Sequence, residues 1–253
     1  MIGKLFTRRK PDEEPAQTPT GLRLYAVGDI HGRVDLLRQL HRRIEKHAAA
    51  ESYTSRNVII YLGDYVDRGA DSRGVIDLLL SEPLPGFKTV HLKGNHEDSL
   101  LRFLADEWHG PQWFAYGGEA TLESYDVRAP RPSSDPAELK RAQAEFANRL
   151  PPAHLDFFQR LKSLYVEGDY AFVHAGIRPG VALDEQSDED LLWIRDEFLR
   201  SDDAFGKIIV HGHSITEVPT IRPNRIGIDT GAFATGCLTC LVLEGTGRRF
   251  LHT

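Results

Sequence analysis

The 253-residue sequence predicts an α/β fold built as two packed sheets. Two observations carry this. From Leu22 onward, three apolar runs each end in a glycine-bounded polar loop followed by helical periodicity, the pattern of parallel strands with right-handed crossovers. After residue 164, short apolar runs succeed one another with little helix between them, which predicts a second, more antiparallel sheet packed against the first. Between the halves, residues from about 100 to 164 read as a helical insertion with a break at Ala129–Pro136.

Each element has a local reason. Residues 1–20 carry Lys4, Arg8, Arg9 and Lys10 and then a stretch rich in Pro, Glu and Thr, which predicts a disordered tail ahead of a single domain over 21–253. Leu22–Val27 is a strand ending in Gly28-Asp29-Ile30-His31-Gly32. A helix follows over about Val34–His47, with Leu36, Leu37, Leu40 and Ile44 as its apolar stripe and Asp35 in its first turn. Val58–Leu62 is the second strand and ends in Gly63-Asp64-Tyr65-Val66-Asp67-Arg68-Gly69. The helix through Val75, Ile76, Leu78 and Leu79 stops before Pro83. Lys88–Lys93 is the third strand; it closes on Gly94-Asn95-His96-Glu97, with a helix starting at Glu97. In the insertion, Trp108, Trp113, Phe114 and Tyr116 precede Gly117-Gly118 and read as packing beneath helices, in a segment placed as a cap over the site.

In the second half, Asp169–Val173 ends in His174-Ala-Gly, Lys207–Val210 in His211-Gly-His213, and Arg225–Ile228 in Asp229-Thr-Gly. Cys237–Glu244 and Arg248–His252 form a hairpin about Gly245-Thr-Gly247. Cys237 and Cys240 have C-x-x-C spacing, but three residues apart on a strand they face opposite ways and there is no second pair. They read as buried structural thiols rather than a redox or zinc site.

Composition narrows the classes. The apolar fraction, 41%, is ordinary for a globular protein, and a net charge of −6 argues against broad nucleic-acid binding. No apolar run approaches the ~20 residues of a membrane span, and no signal-peptide core is evident, so a cytoplasmic setting is expected.

Asp, His, Asn and Arg thus recur at separate strand ends, and ligands in such sheets gather beyond the carboxyl ends of the strands. Asp29 and His31, two apart, point to one side of extended backbone; carboxylate, amide oxygen and imidazole together suit manganese, iron or zinc. Two cations held close together need a bridging ligand such as the Asp64 carboxylate.

Gly28-Asp-Ile-His-Gly, Gly63-Asp-Tyr-Val-Asp-Arg-Gly, Gly94-Asn-His-Glu and His174-Ala-Gly resemble the signature of the phosphoprotein phosphatases within the metallophosphoesterase superfamily. The similarity is greatest to the bacterial and bacteriophage lambda branch and spans residues 22 to about 245. It implies a four-layer sandwich of two mixed sheets flanked by helices, and a site with two divalent metals, Mn2+ by preference, with Fe or Zn as the other candidates. Asp29 and His31 would hold the first metal, Asp64 would bridge, and Asn95, His174 and His213 would hold the second, with His211 left as the other candidate on that loop. His96 would be the general acid, oriented by Asp67, and Arg68 with Arg195 of the Trp193-Ile-Arg195 segment would grip phosphate. The implied activity is hydrolysis of a phosphomonoester, a phosphorylated protein or small molecule, by metal-activated hydroxide. The alternatives are a symmetrical diadenosine tetraphosphatase, which tends to lack Asp67 and to carry Asp in place of Glu97, and an inactive phosphate-binding scaffold.

Overall fold

The computed structural model describes residues 15–50, 56–130 and 136–253. In chain order the elements are β1 (Leu22–Val27), α1 (Val34–Ala50), β2 (Arg56–Tyr61), α2 (Ser72–Ser81), β3 (Phe87–His91) and α3 (Asn95–Ala105). The insertion follows as α4 (Gly110–Ala115), α5 (Gly118–Ser124), α6 (Pro136–Arg149) and α7 (Pro152–Gln159). Then come β4 (Leu164–Glu167), β5 (Tyr170–Val173), α8 (Asp188–Trp193), α9 (Asp196–Leu199), β6 (Ile208–His211), β7 (Thr220–Ile221), β8 (Arg225–Gly227), α10 (Ala232–Thr235), β9 (Thr239–Glu244) and β10 (Gly247–His252).

Two five-stranded sheets result, ordered β10-β9-β1-β2-β3 and β4-β5-β6-β8-β7. β1, β2 and β3 are parallel, as the three-unit pattern predicts. The second sheet is mixed rather than mainly antiparallel: β5, β6 and β8 run parallel, and only β4 and β7 at its edges are reversed. The chain between β5 and β6 carries α8 and α9, long enough for the crossover that a parallel pair requires. The C-terminal hairpin joins the first sheet, where β9 pairs antiparallel with β1.

Alternation along the strands produces four layers. Tyr25, Val27, Ile59 and Tyr61 face outward onto α1, α2 and the insertion. Leu24, Ala26, Val58 and Ile60 face inward and meet Tyr170, Phe172, Ile208 and Val210 of the second sheet. Ala171, Val173 and Ile209 face the other way, onto Leu191 and Phe198 of α8 and α9. Both faces of each central strand are therefore buried, so these strands read as continuous apolar runs rather than as alternation.

Of the expected tail, residues 1–14 lie outside those described, whereas residues 15–20 cross from one sheet to the other. The Thr18 N–H donates to the Gly245 carbonyl at the β9–β10 turn, and the Asp169 N–H donates to the Gln17 carbonyl at the β4–β5 turn. Ala16 is buried. Cys240 is buried on the outer face of the first sheet, and Cys237 is only half-buried; both are free thiols.

Histidines held away from water make stability depend on pH. Burial pushes His41 and His91 down to about 4. His91 lies between the rings of Tyr61 and Phe157 with its Nε2 unpartnered among the described residues. In the unfolded chain both titrate near ~6.5, so between these values the unfolded state binds more protons. Their stabilisation is complete above roughly pH 6.5 and is lost as pH falls towards 4, about 3 kcal/mol each at most. Thermal unfolding is expected at a clearly lower temperature at pH 5 than at pH 7, with a smaller difference in His91→Phe. An unchanged difference in that variant would remove His91 from this account.

Candidate metal centre

The loops after β1, β2, β3, β5, β6 and β8 meet at one end of the two sheets. Close backbone approach brings them together: a Cβ on Gly63 would lie 2.5 Å from the Gly94 nitrogen, and one on Gly94 would lie 2.0 Å from Asp64 Oδ1. Of six non-glycine residues with positive φ among those described, five are His31, Asp64, Asp67, Arg68 and His213. Such backbone is sparsely populated by L-residues and persists where surroundings over-determine it. The Glu97 carboxylate supplies part of that restraint, accepting from the N–H groups of Asp64, Tyr65, Val66 and Gly94 at 2.7–3.3 Å.

Within the site, histidines are oriented by backbone carbonyls. His174 Nδ1 donates to the Leu62 carbonyl (3.0 Å), leaving a lone pair on Nε2. That lone pair faces Asn95 Oδ1 at 2.8 Å and Asp64 Oδ1 at 3.4 Å. His213 Nδ1 closes the group, 2.9 Å from Asn95 Oδ1 and 3.2 Å from His174 Nε2. Several acceptors converging at these separations repel one another unless a cation lies among them. The spacings match those between donors around one ion at about 2.1 Å. On the other side of Asp64, His31 Nδ1 donates to the Val66 carbonyl (2.9 Å), and its Nε2 faces Asp64 Oδ2 at 3.4 Å. His31, Asp64 and His96 form one group that could hold a metal ion, and Asp64, His174 and His213 form another. Asp64 is common to both.

Asp29 completes the first side. Its Oδ2 accepts from the His213 N–H at 3.0 Å, while its Oδ1 is buried with no hydrogen-bond partner among the described residues, so its lone pairs fit a cation. Burial, with Asp229 and Asp64 close by, holds the Asp29 carboxyl well above the usual carboxylate range. Burial likewise pushes Asp229 up to about 6 and depresses the imidazoles of His31 and His213, to about 3 and about 2. Neutral imidazoles beside crowded carboxyls are the donor set that a hard or borderline divalent cation binds.

His211 points elsewhere. Its Nδ1 turns to the Gly212 carbonyl and its ring stands edge-on to Phe198 in the outer core of the second sheet. Of the two candidates on that loop, His213 is the one brought to the donor cluster.

His96 lies at the N-terminus of α3. Its Nδ1 is 2.6 Å from Asp67 Oδ2, and its Nε2 points toward Asp64 Oδ2 at 3.8 Å. Burial disfavours its charged form, but Asp64 and Asp67 outweigh that and raise its pKa. Arg68 is exposed at the rim, donating to His31 Nε2 at 3.0 Å with its guanidinium over the Phe233 ring. Arg195, also exposed, precedes α9 on the side of His174 and His213, whose charged forms it disfavours. Two cationic side chains thus act on the donor cluster, Arg68 beside His31 and Arg195 within electrostatic reach of His174 and His213.

Three residues here escape sequence reading. Trp113 is buried as expected of packing, yet its indole N–H donates to Asp67 Oδ2 at 2.8 Å. Thr121 donates to Asp67 Oδ1 at 2.6 Å. Asp229 was legible only as one more strand-end carboxylate.

A sandwich whose converging loops offer carboxylates and imidazoles to divalent ions defines a metallophosphoesterase. The chain belongs to the calcineurin-like phosphoesterase family, whose pattern matches residues 22–234. Over 232 residues it is 29% identical to serine/threonine-protein phosphatase 2 of Salmonella typhimurium, covering 85% of this chain and 90% of that one. It is also 24% identical over 243 residues to an asymmetrical bis(5'-nucleosyl)-tetraphosphatase of Oceanobacillus iheyensis, covering 86% and 87% of the two chains. Among solved structures, one provisionally described as a diadenosine tetraphosphatase superposes with a TM-score of 0.62 at 19% identity, covering 94% of this chain and 98% of that one. A serine/threonine phosphatase from Saccharomyces cerevisiae superposes at 0.56 with 15% identity, covering 94% and 84%. These two show the shared fold.

Proposed function

We propose that the protein is a phosphomonoester hydrolase of the serine/threonine protein phosphatase type. The observation that carries this reading is the Asp67–His96 pair beside Asp64. An alkoxide leaving from phosphoserine or phosphothreonine is strongly basic and needs a proton, whereas a nucleotide leaving group departs as a stable phosphate anion. A buried carboxylate-oriented imidazole is useful for the first reaction and dispensable for the second.

Asp29, His31 and Asp64 would hold one divalent ion, and Asp64, Asn95, His174 and His213 the other. When bound, such ions, manganese by preference with iron or zinc also suited to these donors, supply a water acidic enough to attack phosphorus near neutral pH. Arg68 and Arg195 bind the non-bridging phosphate oxygens and offset the charge that builds on them in the transition state. His96 Nε2 gives its proton to the departing oxygen, and Asp67 holds the ring in the tautomer and direction that permit this.

A second reading, hydrolysis of a dinucleoside polyphosphate, draws support from the tetraphosphatase named among the relatives. One experiment separates the two. The protein is stripped with a chelator, reloaded with Mn2+, and assayed on phosphoserine, phosphothreonine and phosphotyrosine peptides and on diadenosine tetraphosphate. Chelation is expected to abolish turnover and Mn2+ to restore it. The phosphoserine or phosphothreonine peptide should exceed the dinucleotide in kcat/KM by at least about tenfold. The reverse order would overturn the monoester reading.

A further inference from the structure

The helical insertion reaches the loop after β2 through specific hydrogen bonds. Asp67 is fully buried, and among the described residues every donor to its carboxylate other than His96 comes from the insertion: Trp113 Nε1 on α4 (2.8 Å) and Thr121 Oγ1 on α5 (2.6 Å). The Thr121 hydroxyl also accepts from the Asp67 N–H at 2.9 Å. Since its one proton goes to Asp67, it accepts from Ser72 Oγ at 3.0 Å, while that oxygen in turn accepts from the Asp67 N–H at 3.0 Å. The corner between α4 and α5 also holds the next residue: the Arg68 N–H donates to the Gly117 carbonyl at 3.1 Å, and Arg68 Nε lies 3.4 Å from the Tyr116 carbonyl. Asp67 and Arg68 have φ of 73° and 68°, backbone that outside contacts must maintain.

Packing alone does not ask for this arrangement. The indole of Trp113 is fixed by Phe103, Phe114 and Phe146 and by Gly118, where a Cβ would lie 2.5 Å from the ring. This clamp aims the one polar atom of the ring at the carboxylate that orients His96. We propose that Trp113 and Thr121 are positioning residues for proton donation: they set the Asp67 carboxylate, and through it the direction of His96 Nε2, so that the insertion governs how well a poor leaving group departs. This rests on the reading of His96 as general acid.

The test uses the 253-residue chain reloaded with Mn2+ and two substrates, a phosphoserine peptide and nitrophenyl phosphate, whose leaving group hardly needs a proton. Thr121→Val and Trp113→Phe are expected to lower kcat on the peptide about tenfold or more. On nitrophenyl phosphate the loss should stay below about threefold, because protonation contributes little there. KM should stay within about threefold for both, as expected when only a transition-state interaction is lost. Thr121→Ser, which keeps the hydroxyl, should restore the peptide rate. Equal losses on the two substrates, no loss on the peptide, or Thr121→Ser as impaired as Thr121→Val would overturn the proposal. Thermal unfolding checks that each variant is folded, and Trp113→Phe carries the test should Thr121→Val not fold. His96→Ala run in parallel separates the two levels. If it shows the substrate-dependent loss and the insertion variants do not, positioning alone fails; if it shows none, the acid reading fails and this proposal with it.

Discussion

Asp64→Asn is expected to lower hydrolysis of a phosphomonoester by at least about 10³-fold, the largest loss of any single substitution in this chain. The reason is the position of one carboxylate between two donor groups. Its Oδ2 faces His31 and its Oδ1 faces His174, each at 3.4 Å. Four imidazoles surround it and, against the effect of burial, draw its pKa below the ordinary carboxylate range. An amide removes the charge and turns one of the two oxygens into a donor, which repels a cation on that side. Asp29→Asn should be nearly as damaging, but through one side of the centre. Metal content measured by mass spectrometry alongside turnover tells the two apart: Asp64→Asn should retain fewer ions than Asp29→Asn. Turnover near that of the unaltered protein in Asp64→Asn would remove the basis for a centre bridged by Asp64.

His96→Ala is also expected to have a large effect, and its size should depend on the substrate. On a phosphoserine peptide, kcat should fall about 10²–10⁴-fold, the usual worth of a positioned proton donor, while on nitrophenyl phosphate the fall should be roughly tenfold or less. The pH dependence follows from the same group. Asp64 and Asp67 raise the pKa of His96 against the opposing effect of burial. The protonated, donating form is therefore present below that raised value and is lost as pH rises through it. Asp67→Asn takes away one of the two raising charges, so the alkaline limb of the pH–rate profile on the peptide should move to lower pH. A limb that moves upward, or a uniform loss on both substrates in His96→Ala, would remove His96 from the role of acid.

What was readable in the sequence depended on how local the physical signal is. Asp29, His31, Asp64, Asn95 and His174 each follow an apolar run directly, so strand recognition alone places them at one end of a sheet. Position in the sheet needed more. The hairpin after Gly236 is written in its own residues, but its neighbour is not, because β9 meets β1 through contacts such as Arg23–Glu244, 221 residues apart. Trp113 and Thr121 reach Asp67 from 46 and 54 residues away, and neither has a spacing that distinguishes an indole or hydroxyl aimed at a carboxylate from one merely buried. Residues 15–20 have the composition of a tail and yet are held by backbone hydrogen bonds, which composition does not register. The roles of Asp67, Arg195 and His213 came from family resemblance; the geometry now gives each a neighbourhood from which its role can be tested.

The place of β1 between β2 and β9 has a consequence for the newborn chain. A ribosome will have delivered every candidate metal donor by the time His213 emerges, yet one flank of β1 stays open until Thr239–Glu244 has been made. In that interval the guanidinium of Arg23 lacks Glu244, and the Gly28 N–H, next to Asp29, lacks the Thr239 carbonyl. Metal loading is thus expected to be a late event in biogenesis. A nascent chain stalled before β9 would present an unpaired β-edge that favours capture by chaperones or association with other such chains.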